Sequence, residues 1–327
     1  MSVSPNRASS LLARIPNGIL RSLAIEVCAR LRPSQRLWAE GSPHCYHRYL
    51  GPSDLPRPRV CAVSYFNTVP LVWGMLHGPQ RDVFELTFAI PSVCAARVRD
   101  GESDIGIVPV ATLLEQDLAI FRGTGIASRS AVRTILLISK RPFAEIGVLA
   151  VDRGSRTSVE LARIILTQNH GAKPVLISMA PELEPMLDAA DAALIIGDAA
   201  LLLDPDRLRS RGFHVADLGE EWWRLSGLPM VFAVWAGRKE VHSAEAEAAF
   251  AGSCRFGMDH LDDIVRAEHG PRGVTAELAR RYLTENLVLE LGEPEYRGLD
   301  VFLEAARALP PAQFVELAGV ASEKTTL

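Results

Sequence analysis

The sequence has little with which to hold a metal or a nucleotide. Its five cysteines are Cys28, Cys45, Cys61, Cys94 and Cys254. They are odd in number and contain no CxxC pair, which argues against a disulfide framework and a structural zinc site. No HExxH motif and no Cys/His cluster occurs, so zinc-assisted hydrolysis is not indicated, and the absence of GxSxG removes a nucleophile elbow. No GxGxxG or GxxxxGK[ST] follows a strand-like run, so no nucleotide cofactor is expected. The eight histidines are scattered. His44 and His47 lie in an arginine-rich start, and His77, His170 and His214 fall at helix ends or surface positions, which leaves no obvious histidine base. A net charge of −4 offers nothing to nucleic acid or an anionic membrane. No window reaches the ~18 uninterrupted apolar residues of a membrane span.

What is present is ordinary globular composition at unusual length for one core. The 327 residues are 48% hydrophobic and 23% charged, which predicts a folded chain of two domains. Residues 1–58 stand apart: they are rich in Arg, Ser and Pro and read as a poorly ordered basic leader. One amphipathic stretch there carries Ile19, Leu20, Leu23, Val27 and Leu31 at helical spacing. Arg14, Pro16, Arg21 and Glu26 break every candidate apolar core of a secretion signal, so a cytoplasmic location is expected.

From Val60 the pattern alternates strand and helix. Residues 60–64, 84–90 and 104–110 read as strands, separated by helices over 70–77 and 91–99 that open on Pro70 and Pro91. Segments 126–128 and 132–138 are strand-like, and 139–143 reads as a crossover. A second series follows: strand 148–151, helix 159–168, strand 173–178, helix 186–190 and strand 192–197. Strand 230–236 carries the chain back, and 243–308 is helix-rich. The expectation is an α/β fold of two lobes, with lobe one built from 59–141 and 233–327 and lobe two from 142–232.

In such sheets ligands bind beyond the carboxyl ends of the strands. Four polar clusters fall there: Ser64 to Asn67, the turn at Val108 and Pro109, Ser155 to Ser158, and Gly197 with Asp198. The third joins a strand to a helix start, where the free N–H groups of Thr157, Ser158 and Val159 and the helix dipole make an anion site. Capping of the helix by Ser155 or Thr157 would need no ligand. Arg156 could stabilise an anion or bridge to a surface carboxylate. Asn67 could donate to a carboxylate or hydroxyl, or form an Asx-turn. Ser92 and Thr134 are hydroxyls near element ends, and Asp198 could cap the following helix.

These residues resemble a known family. SYFN (64–67) with Pro70, Pro91-Ser92, GESDIGIVPV (101–110), GIAS (125–128), DRGSRTS (152–158), LIIGD (194–198), DLGEEW (217–222) and GLPMVFAVW (227–235) occur in the order found in chorismate dehydratases of the futalosine route to menaquinone. The resemblance runs from Val60 to about residue 308. It implies a type II periplasmic-binding-protein-like fold with the ligand between the lobes, no cofactor, and chorismate as the small-molecule partner. It also implies loss of water to give 3-[(1-carboxyvinyl)oxy]benzoate, with the substrate's own carboxylate taking up the ring proton. By position, Asn67 and Thr134 would be catalytic. Ser64, Ser92, Val108, Pro109, Ser155, Arg156, Thr157, Ser158, Gly197 and Asp198 would bind substrate. Thr134 stands where relatives have serine, Phe66 where leucine is usual, and Ser130 where glycine is common. A homo-oligomer is compatible with this reading. Two other readings are a solute-binding protein for a small carboxylate and the sister dihydroxynaphthoate synthase, in which a catalytic histidine is expected.

Overall fold

The computed structural model describes residues 57–315 apart from Arg153. The amphipathic segment and nearly all of the expected leader therefore lie outside the described residues. The expected two-lobed α/β arrangement is what the chain adopts: a six-stranded sheet of order β11-β4-β10-β3-β1-β2 and a five-stranded sheet of order β7-β6-β8-β5-β9.

In the first sheet β1 (Arg59–Val63) pairs in parallel with β2 (Glu85–Ala89) and β3 (Ile105–Pro109). Helices α1 (Val69–His77) and α2 (Pro91–Arg99) make the crossovers. Both begin with proline in the first turn, where a missing N–H costs nothing and φ is already helical. Cys61 and Cys94 are fully buried, with sulfurs 3.1 Å apart, and serve as small core residues at the β1–α2 contact. The long strand β4 (Ala119–Ser128) then carries the chain to the second lobe.

The second sheet holds β5 (Ile135–Ser139), β6 (Val148–Asp152), β7 (Val175–Met179), β8 (Ala192–Ile196) and β9 (His214–Asp217). Between them lie α3 (Thr157–His170), α4 (Leu183–Ala189), α5 (Gly197–Leu201) and α6 (Pro205–Ser210). Alternation splits β5 cleanly: Ile135 and Leu137 face the core that includes α3, whereas Leu136 and Ile138 face the core under α4. After α7 (Leu218–Ser226), β10 (Met230–Gly237) returns antiparallel between β3 and β4.

Sheet membership moves the expected lobe boundaries. β5 lies before residue 141 yet pairs with β8 and β9, so the first passage between lobes falls in 129–134. The second precedes Met230 rather than following residue 232. The crossover expected at 139–143 is a turn within lobe two, since β5 and β6 on either side of it share the second sheet.

The helical tail comprises α8 (Ala244–Asp259), α9 (Leu261–Glu268), α10 (Ala276–Arg281) and α11 (Glu293–Ala308). Within it, a π-helical turn at Tyr282–Asn286 leads into β11 (Val288–Glu290). β11 was not expected, since three residues are too few for a periodicity.

Asp217 fixes the first passage. It caps α7 through the N–H groups of Gly219 and Glu220 and also accepts those of Val132 (2.9 Å) and Arg133 (2.6 Å). One buried carboxylate thus sets the backbone immediately before Thr134.

Asp104 does similar work at the base of the first sheet. Its carboxylate takes two hydrogen bonds from the Arg59 guanidinium and one from the Arg59 backbone. The Arg59 side chain holds the carboxyl below the usual aspartate range, against the opposing effect of partial burial. A depressed native pKa means stability that is present above the ordinary aspartate range and lost as pH falls through the lowered value. Asp104→Asn should therefore lower the melting temperature at pH 7 and flatten its fall below about pH 4, as thermal melts across that range would register. Parallel acid limbs for variant and wild type would remove this pair as a contributor.

Candidate functional site

The carboxyl ends of β1, β3, β6 and β8 converge on a cleft. Its walls bring together Asn67, Pro109, Thr134, Ser155, Arg156, Thr157, Ser158 and Gly197 from the sequence-derived set, with Tyr65 beside them. Among the described residues no histidine lines it, and no group of three or more His, Cys, Asp or Glu is placed to hold a metal ion.

From the first lobe, Asn67 projects from the 3₁₀ turn Phe66–Thr68 that follows β1. The turn and α1 both lack a side-chain cap, so Asn67 is not serving as an Asx cap. Its Oδ1 accepts the Thr68 hydroxyl at 3.3 Å, which leaves the Nδ2 hydrogens as donors. Thr134 sits at the head of β5 with only 2% of its surface exposed, its Oγ1 3.1 Å from the hydroxyl of Tyr282.

From the second lobe, α3 presents its N-terminus. The residue at the cap position is Arg156, and no side chain accepts from the first turn. Capping by Ser155 or Thr157 is therefore not what the structure contains. The hydroxyls of Ser155 and Ser158 have no hydrogen-bond partner among the described residues. With the helix dipole, these donors make a corner whose chemistry suits an anion.

Gly197 closes the far wall. Its φ is +62°, and a Cβ there would lie 2.9–3.1 Å from three ring atoms of Tyr65. Only glycine supplies both the backbone conformation and the clearance. Burial, with Asp152 and Asp198 nearby, pushes the Tyr65 hydroxyl up to about 12, so it stays a neutral donor at neutral pH.

Several of the expected residues have protein partners or stand off the cleft wall. Thr157 is buried, and its hydroxyl donates to Phe232 O (3.1 Å) and accepts from Ala111 N (3.2 Å). It ties the α3 start to β10 and to the turn after β3, and has no free proton to offer. Arg156 borders the cleft, but its guanidinium is paired with Glu115 at 2.8 Å. Val108 is fully buried within β3, because strand alternation turns it away from the cleft that Pro109 faces. Ser64 is exposed outside the cleft wall, its N–H paired with Ala89 O. Ser92 sits one residue past Pro91 on α2 and is not part of the wall, whereas Pro91 is.

Asp198 is the largest revision. Its carboxylate accepts the Phe66 N–H at 3.0 Å and is paired with Arg272, and no side chain caps α5. It joins the loop after β8 to the loop after β1 across the mouth, and it is not among the residues that line the cleft. Three residues of this region were not singled out from sequence: Tyr65, which lines the cleft, and Tyr282 and Arg272, which contact Thr134 and Asp198. Tyr65 lay inside a quoted motif and could have been found there; Tyr282 and Arg272 carry no local signal.

Comparison with known proteins places this cleft in context. A family model described as menaquinone biosynthesis matches residues 58–308. A chorismate dehydratase from Thermus thermophilus is 31% identical over 265 residues, covering 76% of this chain and 95% of that protein. Among solved structures, a protein from Archaeoglobus fulgidus is similar with a TM-score of 0.61 at 19% identity, covering 77% of this chain and 97% of that one. The periplasmic aliphatic sulphonate binding protein of Escherichia coli gives 0.53 at 14% identity, covering 79% and 94%. At such identities the two structures speak to the fold alone, which is periplasmic-binding-protein-like.

Proposed function

The chain belongs to the menaquinone-biosynthesis family, and on that premise we propose that it is a chorismate dehydratase, a carbon–oxygen lyase that acts in the cytoplasm. The observation that carries the reading is one cleft holding both the uncapped start of α3 and the Asn67–Thr134 pair. Chorismate offers a carboxylate for the first and a reacting ring for the second.

The reaction removes the proton on C3 and the hydroxyl on C4. The C3–H electron pair enters the ring, the C4–O bond breaks, and the oxygen departs as water, the proton it gains balanced by the one that C3 gives to the substrate's second carboxylate. Aromatisation drives the step, so the protein has to orient the substrate and stabilise charge. The α3 amides and the Ser155 and Ser158 hydroxyls fix one carboxylate. Asn67 Nδ2 and the neutral Tyr65 and Thr134 hydroxyls are the donors for charge that develops on oxygen. A cleft with no histidine among its described lining residues suits a substrate whose second carboxylate takes up the C3 proton, and it disfavours the sister synthase. No helix among the described residues is long and apolar enough to cross a membrane.

Incubation of the purified protein with chorismate, followed by mass spectrometry, should show a product lighter by one water. Chorismate bound with micromolar affinity and recovered unchanged would favour a solute receptor. The anion corner has its own test. Ser155→Asp would place a carboxylate where the substrate's is expected: the helix dipole would favour the new charge, so melting temperature should hold or rise. The KM for chorismate should climb about tenfold or more through like-charge repulsion. Steady-state kinetics beside thermal melts separate the two effects.

A further inference from the structure

We propose that Tyr282 is a positioning residue for this reaction, aiming the Thr134 proton at the leaving oxygen from within the π turn that closes the first interlobe passage. The inference rests on the dehydratase reading.

Tyr282 is 1% exposed, and its hydroxyl lies 3.1 Å from Thr134 Oγ1. The direction of the bonds follows from valence. Thr134 Oγ1 directs its own proton to Val132 O, so the proton shared between the two hydroxyls is that of the phenol. The phenol has one proton, and it then donates to Thr134 Oγ1. The threonine proton is left over. Its protein acceptor is Val132 O at 3.4 Å, a long contact that a substrate hydroxyl in the cleft would outcompete. The pair Tyr282 and Thr134 thus points a donor outward, and the phenol's bond polarises the threonine hydroxyl.

The backbone arrangement supports this use. Residues Tyr282–Asn286 form a π turn, a geometry often kept at functional positions. Its far end is anchored as well, since Asn286 Nδ2 donates to Ala131 O at 2.9 Å. The turn therefore grips the passage at Ala131 and again at Thr134. Phe66 supports the Tyr282 ring with centroids 5.9 Å apart, so phenylalanine could keep the ring in place without the hydroxyl.

The test compares wild type, Tyr282→Phe, Thr134→Val and the double variant on chorismate. Tyr282→Phe should lose about 10- to 100-fold in kcat, a size usual for groups that orient a working side chain, with KM within about threefold. Because Tyr282 acts through Thr134, the double variant should be no slower than Thr134→Val alone, whereas independent structural damage would multiply the losses. Multiplicative losses, or a Tyr282→Phe enzyme at wild-type kcat, would overturn the proposal. If the phenylalanine variant does not fold, 3-fluorotyrosine at position 282 keeps ring and hydroxyl and alters donor strength; kcat should shift severalfold at constant KM, and an unchanged kcat would overturn it. Wild type that converts no chorismate would instead overturn the dehydratase reading, a separate result.

Discussion

Asn67→Ala should lower kcat on chorismate by about 10²- to 10³-fold, the usual cost of deleting one aimed donor from a water-poor site, while KM changes far less. Thr68 fixes the amide so that nitrogen faces the cleft, and alanine removes the donor without disturbing a cap, because neither the 3₁₀ turn nor α1 uses Asn67 as one. Melting temperature should stay within a few degrees of wild type. Asn67→Asp is the sharper variant. It keeps the shape but turns two donors into a charged acceptor facing an anionic substrate, so it should be at least as slow as alanine and bind chorismate more weakly. Stopped assays by liquid chromatography would measure both; activity within threefold of wild type would take Asn67 out of the chemistry.

Gly197→Ala should be the most damaging single methyl in the cleft. The +62° φ alone costs a side chain roughly 1–3 kcal/mol, and the added Cβ would meet the Tyr65 ring at 2.9–3.1 Å. Tyr65 cannot simply swing away, since it stands between the two lobes beside Phe66, whose N–H is held by Asp198. The variant should lose several degrees of melting temperature and more than tenfold in kcat/KM. Tyr65→Leu in the same chain should recover part of the stability by vacating the ring atoms, but not the activity, because the neutral hydroxyl goes with them. Thermal melts of the single and double variants check the first half, and kinetics the second. Full recovery of activity would show that Tyr65 only fills space.

The division between what could be read from residues alone and what could not follows the reach of each interaction. Strands such as β1 and β8 are continuous apolar runs, and Pro70 and Pro91 announce helix starts within four residues of the features they position. The junction of β6 with α3 was legible because strand, polar loop and helix are contiguous. The roles of Thr157, Asp198 and Tyr282 were not. Their partners Phe232, Phe66 and Thr134 are 75, 132 and 148 residues away, and nothing local distinguishes a hydroxyl tied to a distant carbonyl from one free to meet substrate. The lobe boundary shifted for the same reason. β5 reads as a strand from its own residues, but its antiparallel partners β8 and β9, not its position in the chain, decide its sheet.

The most direct test is a crystal structure of Asn67→Ala with chorismate, a variant slow enough to hold the substrate intact. It should show one substrate carboxylate against the first-turn amides of α3, with the ring's C4 oxygen toward Thr134 and the space left by Asn67. Chorismate lying outside this cleft, or inside it with both carboxylates turned away from α3, would contradict the account.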